Sequence, residues 1–445
     1  MNISIIGAGY VGLVSGVCLS EKGHTVVCVD ESQEKVCAIN EGRAPFYEAG
    51  LDDLLKKNVP QRLSATTDFA AAVHDSELTI IAVGTPFDGK TIDLTQVKSA
   101  STQIGRALKG KTEYHGVVVK STVVPGTTEE VVLPLLEEAS GKKAGVEFGV
   151  GMNPEFLREG EAIADFLYPD RIVLGGIDER TLNIIDDLYV GFPGVDRVRT
   201  NTRTAEMIKY TSNALLASMI SFSNEIGNLC ATVGGIDVID VMRGVHLDKR
   251  LSPIMPNGER IVPSLVTFLE AGCGFGGSCF PKDVKALIAY GTKVNSPMRI
   301  LQAVMAVNGE QPRKVLDLLK KRFPVLQGIN VAVLGLAFKP GTDDMRETPA
   351  LPIVKELLSQ GVRVKGYDPI VGQKALTVFA HSHFTICDNI REAIDGTQAV
   401  VLLTRWSEFY QVPELLSEMD SPPVIIDGRR MLDKHHVNNY EGIGL

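Results

Sequence analysis

NISIIGAGYVGLVSGVCLSEKGHTVVCVD, residues 2–30, sets the architecture of the chain. ISII (3–6) is a short apolar run rich in β-branched residues, the pattern of a strand buried on both faces. Gly7-Ala-Gly9-Tyr-Val-Gly12 follows, and the apolar spacing of LVSGVCLSEKG suits a helix ending at Gly23. TVVCVD (25–30) is a second buried strand that ends in Asp30. Strand, glycine turn, helix, strand and closing acid form a dinucleotide-binding unit. Gly7 allows the tight turn, Gly9 lets the backbone approach a pyrophosphate, and Gly12 lets helix and strand pack closely. The helix N-terminus, with Tyr10 and Val11 inside the turn, offers N–H groups and a positive dipole end to the phosphates. Asp30 would accept hydrogen bonds from both ribose hydroxyls, and Glu31 adds a negative charge where a 2′-phosphate would sit. NAD is favoured over NADP. The plain alternative is a glycine turn in an unliganded α/β sheet.

The run Asn2 to Ser20 carries no charge, but four glycines interrupt it and no basic segment precedes it, which argues against a membrane span or signal peptide. At 445 residues the chain exceeds one ordinary core, so two or three domains are expected. A net charge of −9 argues against a nucleic-acid surface. Seven irregularly spaced cysteines read as reduced thiols in a cytoplasm.

Outward from residue 30 the alternation continues. LTIIAVG (78–84) ends at Thr85-Pro86, GVVVKST (116–122) at Ser121-Thr122, and EFGVGMNPEF (147–156) at Asn153-Pro154-Glu155, with RIVLGG (171–176) after it. Ligands collect at the carboxyl ends of strands in open α/β sheets, so Thr85 and Thr122 are candidates for cofactor or sugar contacts. A helix cap is the alternative for each. From Thr204 to Val233 the apolar residues recur at helical spacing without a proline, and Lys209 and Asn213 share one face of that helix. An exposed, merely solvated pair is the alternative there.

After NGEQPRK (308–314), read as a linker, the opening theme returns in INVAVLGLAFK (329–339), VRVKGYD (362–368), AVVLLT (399–404) and PVIIDGRR (423–430). The glycine fingerprint is replaced by Gly335-Leu-Ala-Phe-Lys339, where a basic residue at a strand end could hold another phosphate. The fold class is therefore α/β, with two doubly wound units joined by a central helical segment containing a long helix. The expected domains are 1–200 for NAD, 201–307 as the central helical segment, and 308–445 as the second nucleotide-type unit, which would take the substrate. A cleft with cofactor on one side and substrate on the other is expected.

GFGGSCFPKD (274–283) sets a thiol, a lysine and a carboxylate behind a glycine run. Pro281 suits the first position of a helix, which places Cys279 near a helix N-terminus, where dipole and Lys282 favour a thiolate. The glycines would let a substrate come close. A metal site is disfavoured because no His or Cys pair lies at ligand spacing, and a buried inert thiol is the remaining alternative. A nucleophilic cysteine beside NAD suggests oxidation past an aldehyde, through a tetrahedral adduct and a thioester. Lys209, Asn213 and Asp283 are of the right types for oxyanion and water.

GxGxxG…D at 7–30, KSTVVPGT (120–127), NPEFLREG (153–160), AEMIKYTSNA (205–214), GFGGSCFPKD and FKPGTDDMRET (338–348) together resemble the UDP-glucose/GDP-mannose dehydrogenase family over nearly the whole chain. The resemblance implies twofold oxidation of the C6 hydroxyl of UDP-glucose to a carboxylate with two NAD, and a homodimer formed through the central helix. It implies Cys279 as nucleophile, with Lys209, Asn213, Asp283 and Thr122 around oxyanion and water, and Glu155 and Glu159 near the reacting carbon. Lys35, Thr85, Thr122, Glu159, Lys282 and Arg346 would meet the cofactor. Phe156, Leu157, Arg158, Phe268, Leu269, Glu270, Ala271, Gly272, Gly276 and Lys339 would meet the nucleotide-sugar. Arg250 would reach the neighbouring subunit's substrate. The stretch from Arg250 to Cys279 is longer than the family's usual spacing, and SPIMPNGERIVPS (252–264) reads as a surface-loop insertion. Oxidation of GDP-mannose or a UDP-N-acetylhexosamine is the nearest rival. A non-enzymatic NAD sensor or a two-electron hydroxyacid dehydrogenase would not need Cys279.

Overall fold

The computed structural model describes all 445 residues, which form two compact units, Met1–Ser212 and Asn213–Leu445. In the first, strands β1 (Asn2–Ile6), β2 (Thr25–Val29), β3 (Leu63–Thr66), β4 (Leu78–Ile81), β5 (His115–Val119), β6 (Phe148–Met152), β7 (Arg171–Gly176) and β8 (Asp196–Thr200) make one sheet in the order β3-β2-β1-β4-β5-β6-β7-β8. β1, β4, β5 and β6 are buried along nearly their whole length because helices cover both faces, and this is why they read as continuous apolar runs.

The sheet departs from a purely parallel one at a single place. β7 runs antiparallel to β6, with Met152 opposite Gly175, and β8 is then parallel to β7. Nothing in RIVLGG signals strand direction, since an apolar run reads alike either way. β3 and β8 lay below the sequence signal. LSAT is short, and DRVRT lies on an edge, is exposed and is charged.

The second unit holds β9 (Asn330–Leu334), β10 (Arg363–Tyr367), β11 (Phe384–Ile386), β12 (Ala399–Leu402), β13 (Val424–Asp427) and β14 (Tyr440–Gly442), all parallel, in the order β11-β10-β9-β12-β13-β14. This is the doubly wound order, with its switch point between β9 and β12. The stretch 308–314 is not a linker. It lies inside one helix, Arg299–Arg322, with Pro312 in its interior. Leu301, Val304, Val315, Leu316 and Leu319 are buried along that helix, and their packing outweighs the hydrogen bond that proline removes.

The long helix Thr202–Val233 continues across the division between the units. Residues 253–262 form an exposed excursion closed by a bridge between Ile254 and Arg260, so the 252–264 segment is a surface hairpin. Arg260 ties it down by donating to the carbonyls of Leu247 and Ser252, each at 2.8 Å. No helix is long and apolar enough to cross a membrane.

Candidate active site

The glycine turn behaves as its spacing predicts, each glycine for its own reason. Gly7 has φ +100°, and a Cβ there would lie 2.7 Å from the Ala82 carbonyl oxygen. A Cβ on Gly12 would lie 1.8 Å from the Gly7 oxygen, whereas one on Gly9 would meet nothing within 4 Å. Gly9 also caps the helix Tyr10–Glu21 with no side-chain hydrogen bond, so the helix N-terminus opens onto clear space of the kind a pyrophosphate needs. Asp30, just past β2, accepts from the amides of Ala8 (3.1 Å) and Ser32 (3.0 Å), and Lys35 Nζ lies at 3.4 Å. Across the switch point, Thr85 Oγ1 donates to the Thr122 carbonyl at 2.8 Å, joining the tips of β4 and β5. These residues fit NAD, whose oxidised ring, when bound, accepts hydride.

A buried polar cluster lies beyond β6 in the same unit. Lys209 Nζ sits 3.0 Å from Glu155, with side chains only 4% and 7% exposed, and Asn213 is buried as well, so Lys209 and Asn213 are not a solvated surface pair. Burial alone would raise the Glu155 carboxyl, but Lys209, the Leu157 amide (2.6 Å) and Lys120 outweigh it and hold the group below its ordinary value. Lys120 donates to Asn153 Oδ1 at 2.8 Å, and Tyr189 donates to the same oxygen at 2.5 Å. Burial pushes the Lys120 ammonium down to about 8. Two cations lie over the Phe156 ring, the Arg171 guanidinium 3.9 Å and Lys209 Nζ 5.4 Å from its centre.

Topology explains how Lys209 gets there. Because β7 reverses direction, the long helix starts beside Gly175, whose Cβ would lie 2.7 Å from Ala205, and climbs back along β7 until Ser212 meets Arg171. Glu206, three residues before Lys209, clasps the turn after β5. Its carboxylate accepts from the amides of Gly126 (2.6 Å) and Thr128 (2.8 Å) and from Thr128 Oγ1 (2.6 Å). Glu206 is fully buried, and burial pushes its carboxyl up to about 7.

In the second unit, Cys279 caps the helix Phe280–Lys293, which begins one residue earlier than Pro281 alone implied. Cys279 is half-exposed, Cys37 is exposed, and the other five cysteines are buried. Burial pushes Cys18 and Cys28 up to about 12, which leaves them inert at neutral pH. One turn after Cys279, buried Asp283 accepts from Asn213 Nδ2 and from Lys282 Nζ, each at 2.6 Å. Asn213, Cys279, Lys282 and Asp283 therefore come together around one helix terminus.

The glycine run answers a different demand from the one expected. A Cβ on Gly276 would lie 2.2 Å from the Glu347 oxygen, and one on Gly277 would lie 2.7 Å from the Phe338 ring. The room they leave is filled by the protein's own 338–348 segment. Arg429 holds the run in place by donating to the Gly274 carbonyl at 2.9 Å and to that of Leu403 at 2.6 Å. Leu269, Ala271 and Gly272 are buried, Phe268 packs on Phe280, and the Glu270 carboxylate is taken by Arg405. Arg346 is paired with Asp344 at 2.8 Å, and Lys339 is half-exposed beside Phe338. Arg158 and Arg250 join neither cluster. Arg158 is exposed and bound to Asp165, and Arg250 is 88% exposed and bound to Asp248 on its own turn.

The second sheet repeats the turn but closes it. Gly335 has φ +92°, as Gly7 does at +100°, and Asp368 stands where Asp30 stands. Asp368, however, is saturated by the amides of Leu336, Ala337, Ile370 and Val371 and by the Trp406 indole. A carboxylate so occupied has no capacity left for a ribose diol.

Three family models match in order: the NAD-binding domain of the UDP-glucose/GDP-mannose dehydrogenase family over residues 1–193, its central domain over 203–310 and its UDP-binding domain over 332–434. The chain belongs to the UDP-glucose/GDP-mannose dehydrogenase family. It is 42% identical to a UDP-glucose 6-dehydrogenase of Haloferax volcanii, over 100% of both chains. It is equally 42% identical to a GDP-mannose 6-dehydrogenase of Pseudomonas aeruginosa, over 83% of this chain and 81% of that one. A UDP-glucose dehydrogenase structure from Pyrobaculum islandicum superposes with a TM-score of 0.89 at 39% identity, covering 99% of this chain and 97% of its own. This family member is thus an NAD-dependent nucleotide-sugar dehydrogenase whose first unit binds NAD.

Lys120, Tyr189, Glu206 and Glu48 were given no role in the sequence reading, and Asn153 only a place at a strand end. Each is polar and unremarkable locally, and its partners lie tens of residues away. The one available signal was a charged residue, such as Lys120, at the end of a fully apolar strand.

Proposed function

We propose that the chain oxidises UDP-glucose twice at C6, giving UDP-glucuronate and two NADH with uptake of one water. The observation that carries this is Cys279, a half-exposed thiol capping a helix, with Asp283 buried one turn on between Asn213 and Lys282. A simple alcohol oxidation would need none of that cluster.

The first step removes hydride and a proton from the C6 alcohol and leaves an aldehyde. The Cys279 thiolate then adds to the aldehyde carbon to give a thiohemiacetal. Loss of a second hydride and of the hydroxyl proton leaves a thioester. Water, activated with help from Asp283, cleaves it and returns the thiol with the carboxylate product. Lys209 and Asn213 have the charge and the amide donor that an oxyanion requires, with Thr122, Glu155 and Glu159 ordering water and sugar. Residues 1–200 would serve NAD, 201–307 catalysis and dimer contact, and 308–445 the uridine diphosphate, with Lys339 on the phosphates. Leu215, Phe222 and Leu229, seven residues apart and 55%, 51% and 59% exposed on the long helix, support a homodimer through that face. Seven free thiols accord with a cytoplasmic setting.

The test is Cys279→Ser. An oxygen ester is cleaved far more slowly than a thioester, because an alkoxide leaves less readily than a thiolate. Incubated with UDP-glucose and NAD, the variant should carry the sugar covalently and stop after about one turnover per site. The parent should form two NADH per sugar with no free aldehyde. An unmodified mass with full turnover, or one NADH per sugar in the parent, removes Cys279 from the chemistry. A parallel panel of UDP- and GDP-hexoses settles the GDP-mannose reading, which the Pseudomonas relative keeps open.

A further inference from the structure

Glu48 lies between the helices Gln33–Asn40 and Leu51–Asn58, in the stretch APFYEAG, and is 6% exposed. Its carboxylate meets three donors from two distant parts of the chain. Oε2 accepts the Tyr10 hydroxyl and the Gly160 amide (2.6 Å), and Oε1 accepts the Ala162 amide at 2.8 Å. The Gly160 amide also reaches the Tyr10 oxygen at 3.2 Å, so phenol, carboxylate and turn form one closed cluster. All three donors are neutral, and a buried anion held only by such donors is costly to leave short of one. The phenol stays a committed donor, because burial first and its hydrogen bond to Glu48 second push its ionisation well above the usual tyrosine range. Its ring is fixed from the other side by Phe46, 5.2 Å between centres.

The two ends of the cluster are functionally distinct. Tyr10 is the first residue of the helix at the glycine turn, immediately after the open face of Gly9. Gly160 and Ala162 follow directly on Glu155 and Glu159. A cofactor seated on the turn bears on Tyr10, and Tyr10 is joined to the loop through one carboxylate.

We propose that Glu48 is a positioning residue that couples cofactor occupancy to the order of the 155–162 loop, an inference that builds on the roles proposed above for Glu155 and Glu159. Glu48→Gln keeps the size but replaces one acceptor atom with a donor, so it cannot serve Gly160, Ala162 and Tyr10 together.

Hydrogen-exchange mass spectrometry of the full chain, with NADH as the only probe, tests this. In the parent, NADH should slow exchange of the peptide spanning 156–163 by about fivefold or more, the equilibrium weight of one net hydrogen bond. In Glu48→Gln, NADH should still protect the peptide spanning 7–14 but no longer the one spanning 156–163. Should Glu48→Gln not fold, Tyr10→Phe, which removes only the hydroxyl from the cluster and keeps the ring, must show the same loss. Equal protection of 156–163 in parent and variant, or no NADH effect there in the parent, overturns the proposal. No sugar nucleotide enters the measurement, so failure of the UDP-glucose reading leaves it standing.

Discussion

Replacing Gly9 and Gly12 separately by alanine sets binding against stability within one turn. At Gly12 the new methyl would sit 1.8 Å from the Gly7 carbonyl oxygen and 3.3 Å from the Ala82 side chain. Relieving that contact requires backbone to move by about 1 Å or more inside a close-packed region. Overpacking by a methyl ordinarily costs about 1–3 kcal/mol, and a carbonyl oxygen cannot rotate away as a side chain can. Gly12→Ala should therefore lose at least about 3 kcal/mol. At Gly9 the backbone is φ −77°, ψ −169°, open to any residue, and the methyl meets nothing. The poorer capping by alanine and the lower entropy of its unfolded chain oppose each other and cancel to within about 1 kcal/mol. The methyl does, however, occupy the face where a pyrophosphate would approach. Losing one charge-assisted hydrogen bond there, about 1.5–3 kcal/mol, weakens NADH by roughly tenfold to a hundredfold. Urea unfolding and NADH fluorescence titration on both variants give the comparison. A Gly9→Ala protein as unstable as Gly12→Ala, or one with the parent's NADH affinity, would refute the reasoning.

Asp30→Ala with Glu31→Arg should weaken NAD and improve NADP by removing an anionic acceptor and adding a phosphate partner, read out as the ratio of kcat/KM for the two cofactors; an unchanged ratio contradicts it. Glu206 has a folded-state value raised to about 7, so its favourable contribution is full below the ordinary carboxylate range and fades as pH rises through 7. The stability difference between parent and Glu206→Gln, from urea unfolding, should shift against the parent by about 3 kcal/mol between pH 4.5 and 8, and a flat difference would contradict this. Phe222→Asp, on the exposed strip of the long helix, should turn a dimer into a monomer in analytical ultracentrifugation without lowering the melting temperature of the monomer's own core; a persisting dimer moves the interface elsewhere.

The glycine turn, Asp30 and the second doubly wound unit were legible because their signals are local. A strand, a turn and a helix within thirty residues announce themselves by period and by glycine. The β6–β7 reversal was not legible, since direction is set by which edge is free and not by the residues of the strand. Pro312 and its neighbours read as a linker because local propensity is weak beside the burial of Val304 and Val315 on either side. The glycines at 276 and 277 marked a close approach correctly, but sequence could not say that the approaching group is Glu347 or Phe338. Cys279, Lys282 and Asp283 stood out because they are neighbours in sequence, and folding adds Asn213 to them, whereas Glu206 and Glu48 have meaning only through partners that folding brings to them.

The reversal at β7 constrains heredity in this part of the chain. Lys209 reaches Glu155 by climbing back from Gly175 along a helix, so its place is set by counting residues. One residue added between Thr202 and Lys209 would swing the ammonium by about 100° and lift it about 1.5 Å. Ahead of β8 the chain passes through exposed residues such as Val190, where an added residue can bulge outward. Exposed positions of those first two turns, such as Met207, can be substituted, but insertions and deletions there cannot be absorbed.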